Sequence, residues 1–353
     1  MKNAAGSDRA DSGAGGARRQ PTQRDVADRA GVSTATVSYV LSGRSNRARP
    51  VPEQTRERVL AAVEALGYRL NRSGRRLRRQ RTELIALVYE PPSSPWIDPV
   101  AECAEDLAES RGYAVIHLPV RDAAAARRAT QMLADGLVDG ALVVSSRLIG
   151  TTALSRLAAS GLAIVAHHET MRPIGLDVVR HGESAASADA VRYLLDQGRR
   201  RIAFMATEAD RSRRSARFDG YLRALSEHGI PADEHQVIRT GTYRDSMYSA
   251  VLDVLRSVSG PRPDAVLSST DRGAIAALWA ARNEGVDVPG ELAIIGMGNT
   301  TEGEMVRPSL TSIGTMDRRY TQANQRLIDR IDDPTLPAEQ LAAPWVLTVR
   351  ESA

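Results

Sequence analysis

The chain has 353 residues, 47 basic against 43 acidic, with 42% hydrophobic content and one cysteine, Cys103. That length supplies core for two or three domains. The lone cysteine excludes a disulfide scaffold and a cysteine-based zinc cluster, and no run of about 18 apolar residues is present to cross a membrane. The net charge of +4 hides an asymmetry: residues 1–81 hold eighteen basic and seven acidic residues, +11 net, which leaves −7 for the remainder. A basic head on an acidic body is expected where one end meets a polyanion.

Residues 1–20 are rich in Gly, Ala, Ser and Asp, without periodicity, and read as a disordered arm. They hold no apolar stretch, which excludes a secretory signal peptide. Thr22 is the N-cap candidate of a short helix to about Ala30, with Val26, Ala27 and Ala30 on one face. Gly31 breaks it. A second helix begins near Ser33 and places Val37, Val40 and Leu41 together; Gly43 ends it, and a loop carrying Arg44, Arg47 and Arg49 follows. A third helix begins near Pro52, aligns Val59, Ala62, Val63 and Leu66, and closes at Gly67. Next come six arginines in the ten positions from Arg72 to Arg81. Like charges at helical spacing repel, so this stretch is a linker or an element that folds only on an anion.

From Leu84 onward, apolar strands alternate with amphipathic helices. Strands are predicted at 84–89, 114–118, 140–144, 163–166, 201–205, 236–239, 265–268 and 292–296, and helices include 100–111, 184–197, 215–228 and 272–284. Such alternation implies parallel sheets covered on both faces. About 270 residues is long for one sheet, so two α/β lobes with a cleft between them are expected.

Thr22–Leu41 has the helix, glycine turn and helix spacing of a helix-turn-helix, whose second helix lies in the major groove of DNA. Thr34, Ala35, Ser38 and Tyr39 are the candidates for its base-reading face. The segment Asp25-Val-Ala-Asp-Arg-Ala-Gly-Val-Ser-Thr-Ala-Thr-Val-Ser-Tyr-Val-Leu-Ser-Gly43 closely resembles the headpiece of the LacI/GalR family of transcription regulators, as does Glu53–Tyr68. Matching signatures in the body are Val138-Asp139-Gly140, Arg217-Phe-Asp-Gly-Tyr221, Val288-Pro289 leading to Ile295-Gly296, and Pro308-Ser-Leu-Thr-Ser-Ile313; the likeness runs from about Thr22 to Arg350.

The resemblance implies that Thr34, Ala35 and Tyr39 read base edges, where an arginine often fills the last place. Tyrosine cannot make arginine's bidentate contact to guanine, so base preference there should differ. It also implies phosphate contacts by Thr22, Ser33, Thr36, Tyr68, Asn71 and Arg72, with Ser38 able to serve either role. Leu77 matches a leucine that wedges into the minor groove from a hinge helix formed on DNA. Gly74 replaces the family's usual alanine, which weakens that helix by about 1 kcal/mol, and the Arg44–Val51 loop is longer than is typical.

Family members hold a small molecule between two periplasmic-binding-protein-like lobes. By position, the effector contacts implied are Trp96, His168, Arg213, Arg217, Tyr243 and Asp271. Departures accompany them: His168 stands where sugar-binding members have Asp, Thr270 where they have Asn, Gly298 where they have Asp, and Gly182-Glu183 where they have Asp-Asn. Sugar recognition needs paired carboxylates and amides, so the ligand class stays open among a sugar, a sugar derivative and an anionic metabolite, as does loss of the ligand altogether. His167-His168 is a weak metal candidate, because adjacent strand residues point to opposite faces.

The expected fold class is an N-terminal all-α helix-turn-helix headpiece with a hinge helix, then a two-lobed α/β body with parallel sheets. The expected divisions are a 1–20 arm, a 21–69 headpiece, a 70–82 hinge and an 83–353 body. Within the body the first lobe is 83–181 with 315–333, and the second is 182–314 with 334–353. The expected function is that of a cytoplasmic, nucleoid-associated, homodimeric repressor binding double-stranded operator DNA, tuned by an effector, with no cofactor and no membrane contact. A solute-binding protein of the same lobes would need a signal peptide and no headpiece. An enzyme is disfavoured by the absence of GxGxxG after a strand, a Walker loop, a GxSxG elbow and HExxH.

Overall fold

A computed structural model describes residues 21–42, 51–68, 81–91, 95–145, 147–207, 215–231, 236–257 and 261–353. The 1–20 arm, the loop at 44–50, and Asn71, Arg72, Gly74, Leu77 and Arg213 lie outside the described residues. The chain divides into two compact units, Met1–Gln80 and Arg81–Ala353.

The first unit holds α1 (Gln23–Ala30), α2 (Thr34–Ser42) and α3 (Glu53–Leu66). Its core is Val26, Ala27, Ala30, Val37, Val40, Val59 and Ala62, the apolar set expected from helical spacing. Thr22 and Asp25 form a capping box: the Thr22 N–H donates to Asp25 Oδ2 at 2.6 Å and the Asp25 N–H to Thr22 Oγ1 at 3.3 Å. Gly31 takes a left-handed backbone (φ 63°), which turns the chain at little steric cost. The Ser33 hydroxyl then accepts the Thr36 N–H at 3.1 Å and starts α2. Gln23 Nε2 ties the two helices together by donating to the Thr34 carbonyl at 3.1 Å.

The second unit runs β1 (Leu84–Tyr89), α4 (Ile97–Ser110), β2 (Ala114–Pro119), α5 (Ala123–Ala134), β3 (Gly140–Val143), α6 (Thr151–Ala159), β4 (Ala163–His167) and β5 (Asp177–Arg180). It continues with α7 (Glu183–Asp196), β6 (Ile202–Ala206), α8 (Ala216–Glu227), β7 (Val237–Arg239), α9 (Arg244–Arg256), β8 (Ala265–Ser268), α10 (Asp271–Asn283) and β9 (Ala293–Met297). Last come α11 (Thr301–Met305), β10 (Thr311–Gly314), α12 (Thr321–Asp332), β11 (Gln340–Ala342) and β12 (Val346–Thr348). Two six-stranded sheets form, ordered β11-β5-β4-β3-β1-β2 and β12-β10-β9-β8-β6-β7. Every pairing is parallel except β10 with β12. Central strands such as β3, β4 and β9 are buried throughout, because helices cover both faces. α4 and α12 pack on one face of the first sheet, with α5 and α6 on the other. α7 and α8 pack on one face of the second sheet, with α9 and α10 on the other.

Two of the expected divisions are corrected here. Residues 334–342 were expected in the second lobe, yet β11 pairs with β5 and completes the first sheet. With three residues and a single buried one, Leu341, it is too short for its alternation to mark it as a strand. The hinge was expected to reach residue 82, but Arg81 and Thr82 are fastened to the body. Arg81 donates to Tyr113 Oη and Asp332 Oδ1, both at 3.0 Å. Asp139 accepts the Thr82 N–H at 2.7 Å and the Glu83 N–H at 2.8 Å, which gives the Val138-Asp139-Gly140 signature its structural purpose.

Three segments cross between the lobes: 181–182 after β5, 315–320 after β10, and 343–345 after β11. They lie side by side. The Ala343 N–H donates to the Arg180 carbonyl and the Trp345 N–H to the His181 carbonyl, both at 2.9 Å.

Candidate functional site

In the first unit, packing of Val37 and Val40 into the core turns Thr34, Ala35, Ser38 and Tyr39 outward onto one stripe of α2. All four are exposed, Tyr39 by 48%. Thr22 and Ser33 spend side-chain acceptors on capping, and the Ser33 and Thr36 hydroxyls lie 2.9 Å apart. Tyr68 packs half-buried against the helical core.

In the second unit, the three crossovers each contribute one aromatic ring to a single cluster of tilted and edge-on rings. His181 comes from the first, Tyr320 from the second and Trp345 from the third. The His181 ring lies 5.4 Å from both the Tyr320 and Trp345 rings, and Trp345 Nε1 donates to Tyr320 Oη at 3.3 Å. His167, ending β4, joins through Nδ1, 3.2 Å from His181 Nε2. Burial, then the nearness of His181, pushes the His167 pKa well down. Burial also lowers His181, so the two imidazoles share one hydrogen bond as neutral rings. Burial pushes the Tyr320 hydroxyl in the opposite direction, upward. Tyr320 holds a left-handed backbone (φ 49°), a cost of about 1 kcal/mol or more that its packing must offset.

Trp96 lies edge-on to Tyr320 with ring centres 6.1 Å apart, and 6.3 Å from His167. Arg217, in the first turn of α8, forks onto Glu183 with Nε–Oε2 at 3.1 Å and Nη2–Oε1 at 3.0 Å. Its Nη1 donates to the Ser269 carbonyl at 2.6 Å, and its guanidinium lies 4.8 Å over the Trp345 ring. Glu183 opens α7, where the helix dipole favours a carboxylate. The arrangement sets aromatic rings beside a polar fork, the two kinds of contact a small cyclic, hydrogen-bonding molecule uses.

Trp96 and Arg217 thus sit at two sides of one aromatic cluster, Trp96 against Tyr320 and His167 and Arg217 over Trp345, whereas His168, Asp271 and Tyr243 lie outside it. His168 is a correction. Its Nδ1 accepts the Thr170 and Met171 N–H groups at 3.1 and 3.0 Å and closes a turn, while strand alternation sends its neighbour His167 into the aromatic cluster. Burial, then Arg180, lowers the His168 pKa, consistent with a neutral acceptor. Asp271 is a second correction. Its carboxylate is buried inside the second lobe, accepting the Ser312 hydroxyl at 2.5 Å and the Thr300 N–H at 2.7 Å. A Cβ on Gly296 would lie 2.3 Å from Asp271 Oδ1, so the glycine makes room for this carboxylate. Burial raises the Asp271 carboxyl against those hydrogen bonds.

Tyr243 is 65% exposed at the start of α9. It lines an open cavity of about 630 Å³ at the cleft mouth with Tyr89, Arg121, Arg244, Asp245 and Arg272. Glu183, His167, His181, Tyr320 and Trp345 join this cluster although none of them was among the expected contacts. Glu183 had a signal, since it stands where the family's Asp-Asn pair is replaced. Among the described residues, no group of three His, Cys, Asp or Glu side chains could hold a metal ion, and no helix is long and apolar enough to cross a membrane.

Comparison with known proteins places both units. Residues 22–71 match the model for bacterial regulatory proteins of the lacI family, and residues 191–353 match a periplasmic binding protein-like domain. The chain is 31% identical to the HTH-type transcriptional repressor PurR of Pectobacterium carotovorum subsp. carotovorum (strain PC1) over 334 residues, 94% of this chain and 96% of that one. It is 28% identical to the HTH-type transcriptional regulator DegA of Bacillus subtilis (strain 168), covering 93% and 96%. Among solved structures, the transcriptional regulator CelR–cellobiose complex superposes with a TM-score of 0.65 at 28% identity, covering 94% of this chain and all of that one. The lac repressor dimer bound to operator and an anti-inducer gives a TM-score of 0.76 over 95% of this chain and 99% of that one; at 22% identity it shows the shared fold. With identity above 30% sustained across nearly its whole length, the chain belongs to the lacI family of bacterial regulatory proteins.

Proposed function

We propose that this protein is a homodimeric transcriptional repressor that reads operator DNA with the exposed stripe of α2 and is tuned by a small molecule held between its lobes. The observation that carries the reading is that stripe: Thr34, Ala35, Ser38 and Tyr39 project from a helix whose other side is locked into the headpiece core. Side chains at the start of such a helix meet base edges in the major groove. Tyr39 brings a single hydroxyl and a ring face, so its position selects bases by one hydrogen bond or thymine-methyl contact rather than by a guanine fork.

Thr22, Ser33, Thr36, Tyr68, Asn71 and Arg72 fix register on phosphates, and Leu77 wedges the minor groove from the basic segment. Two headpieces on a pseudo-palindromic site require a dimer. The solved lac repressor relative is a dimer on its operator, and the CelR relative holds cellobiose. Aromatic rings at Trp96 and Trp345 and the Arg217–Glu183 fork in the same cluster support a sugar-like effector. In this reading residues 21–69 are the headpiece, 70–80 the hinge, and the protein acts by binding rather than catalysis, in the cytoplasm where its DNA lies.

The test is selection of genomic DNA fragments by the full chain. It should recover a short near-palindromic sequence whose affinity falls by orders of magnitude between about 50 and 200 mM salt. Recovery of no sequence above background would overturn the reading.

A further inference from the structure

His167 and His181 belong to a hydrogen-bonded chain that has a fixed direction. Its anchor is the Ala343 carbonyl on the third crossover, 3.3 Å from His181 Nδ1. A carbonyl oxygen only accepts, so His181 Nδ1 carries a proton. Burial outweighs the pull of Glu183 and Glu169 and lowers the His181 pKa, so its Nε2 is bare. That nitrogen lies 3.2 Å from His167 Nδ1 and must accept, which puts the His167 proton on Nδ1. His167 Nε2 is then a bare lone pair. It is buried, in a residue 6% exposed, and has no hydrogen-bond partner among the described residues. Buried polar atoms are nearly always paired, so one left over needs an explanation. Its position supplies one. His167 ends β4 and Trp96 follows β1, so both stand at the carboxyl ends of parallel strands, where open α/β sheets hold ligands. The half-buried Trp96 ring lies 6.3 Å from the His167 ring and the Tyr320 ring 4.9 Å from it.

We propose that His181 is a positioning residue that fixes the tautomer of His167, and that the bare Nε2 so created selects effectors presenting a neutral hydrogen-bond donor, a hydroxyl or ring N–H, at that point. The inference rests on the cleft being the effector site. A carboxylate, phosphate or ketone oxygen would set lone pair against lone pair there, and the ring proton that could relieve the conflict is held on Nδ1 by His181. The site thus favours a polyol or sugar over an anionic metabolite. The same chain joins the ligand to two crossovers. It ends on Ala343 of the third, whose N–H donates to the Arg180 carbonyl, just before the first, at 2.9 Å.

Magic-angle-spinning nitrogen-15 spectra of the full chain, labelled at its six histidines, read the tautomer directly. His167, assigned by the loss of its signals in His167→Asn, should show a protonated Nδ1 and a bare Nε2 at neutral pH. His181→Phe removes the acceptor and should leave His167 as a mixture of tautomers. His181→Gln offers one acceptor and one donor and should restore the parent pattern. Phenol and anisole are the ligand probes, since they share a ring and only phenol carries an O–H. Phenol should shift the Nε2 resonance saturably and bind about tenfold more tightly than anisole. A proton on Nε2 in the parent overturns the proposal. So does a tautomer unchanged in His181→Phe, an Nε2 resonance that phenol leaves in place, or equal affinity for the two probes. The parent spectrum and the two probes decide the matter even where His181→Phe fails to fold. Selection of an operator fragment by the same preparation separates the two failures. If an operator is recovered and phenol leaves Nε2 in place, this inference alone falls; if no operator is recovered, the regulator reading falls.

Discussion

Asp271 gives the sharpest test of how the second lobe is built, because sequence resemblance and structure assign it different work. As an effector contact it would govern ligand response and little else. As the buried acceptor of the Thr300 N–H and the Ser312 hydroxyl, it joins the start of α10 to α11 and β10. Truncation by Asp271→Ala leaves two buried donors without an acceptor, since Thr300 is 3% exposed and Ser312 0%. Each orphaned group costs about 1–3 kcal/mol, so the pair costs on the order of 2–6 kcal/mol. For a body of this size that is a drop of roughly 5–10 °C in melting temperature. Asp271→Asn keeps one acceptor oxygen and should lose about half as much. The raised pKa sets the pH trend. Burial lifts the folded value above the unfolded one, so this contribution is fully present below the unfolded value and declines as pH rises through the folded one. Asn does not titrate, so Asp271→Asn should cost most in acid and less at neutral pH. Melting of the full chain followed by circular dichroism at pH 4.5 and 7.5 measures both effects. A melting temperature within about 1 °C of the parent, with effector response abolished, would refute the structural assignment.

Three further outcomes follow from individual contacts. Asp177 is fully buried and accepts two hydrogen bonds from Arg330, one from Arg326 and the Glu339 N–H; these outweigh burial and lower its pKa. Asp177→Ala strands Arg330 and should cost about 3–5 kcal/mol; in the parent, this contribution holds above the ordinary aspartate range and is lost as pH falls through the depressed value, which acid titration of the melting temperature reads directly. Gly220→Ala would set a Cβ 2.1 Å from the Ser184 carbonyl oxygen, and backbone cannot swing aside, so α7 and α8 must separate at a cost of about 2–3 kcal/mol; an unchanged urea midpoint would contradict that close approach. Arg217→Ala removes the fork on Glu183 and the cation over Trp345 and should abolish effector response while operator retention in a gel-shift assay persists; an unaltered response places the effector elsewhere.

The headpiece was legible because helical spacing makes seven apolar residues declare one face, and the central strands because they are unbroken apolar runs. β5 and β10–β12 escaped detection for the opposite reason: they are three or four residues long and carry Asp177, Arg180, Thr311 and Ser312, polar groups that tertiary partners satisfy. Trp96 and Arg217 were singled out by local signatures and lie against the aromatic cluster. His167 was not, because choosing between adjacent histidines requires the strand's register, which a doublet at a strand end does not reveal. Asp271 misled in a related way, since its partners Thr300 and Ser312 arrive from later elements. His181, Tyr320 and Trp345 lie far apart in the chain and meet only because the three crossovers run side by side, so no sequence spacing announces them.

The interleaving of those crossovers also sets an order on synthesis. β11 and β12 complete the two sheets, and Ser352 then accepts the Ile294 N–H through its carbonyl at 2.7 Å and donates its hydroxyl to the Ile294 carbonyl at 2.6 Å. Neither lobe can reach its finished sheet while residues 340–352 are still unmade, although most of each lobe has by then been translated. Residues 21–68, in contrast, contain their whole core and are available to fold early. A nascent chain therefore possesses the part that reads DNA well before the part that senses a ligand, and a stalled or truncated product would be a headpiece without its regulator.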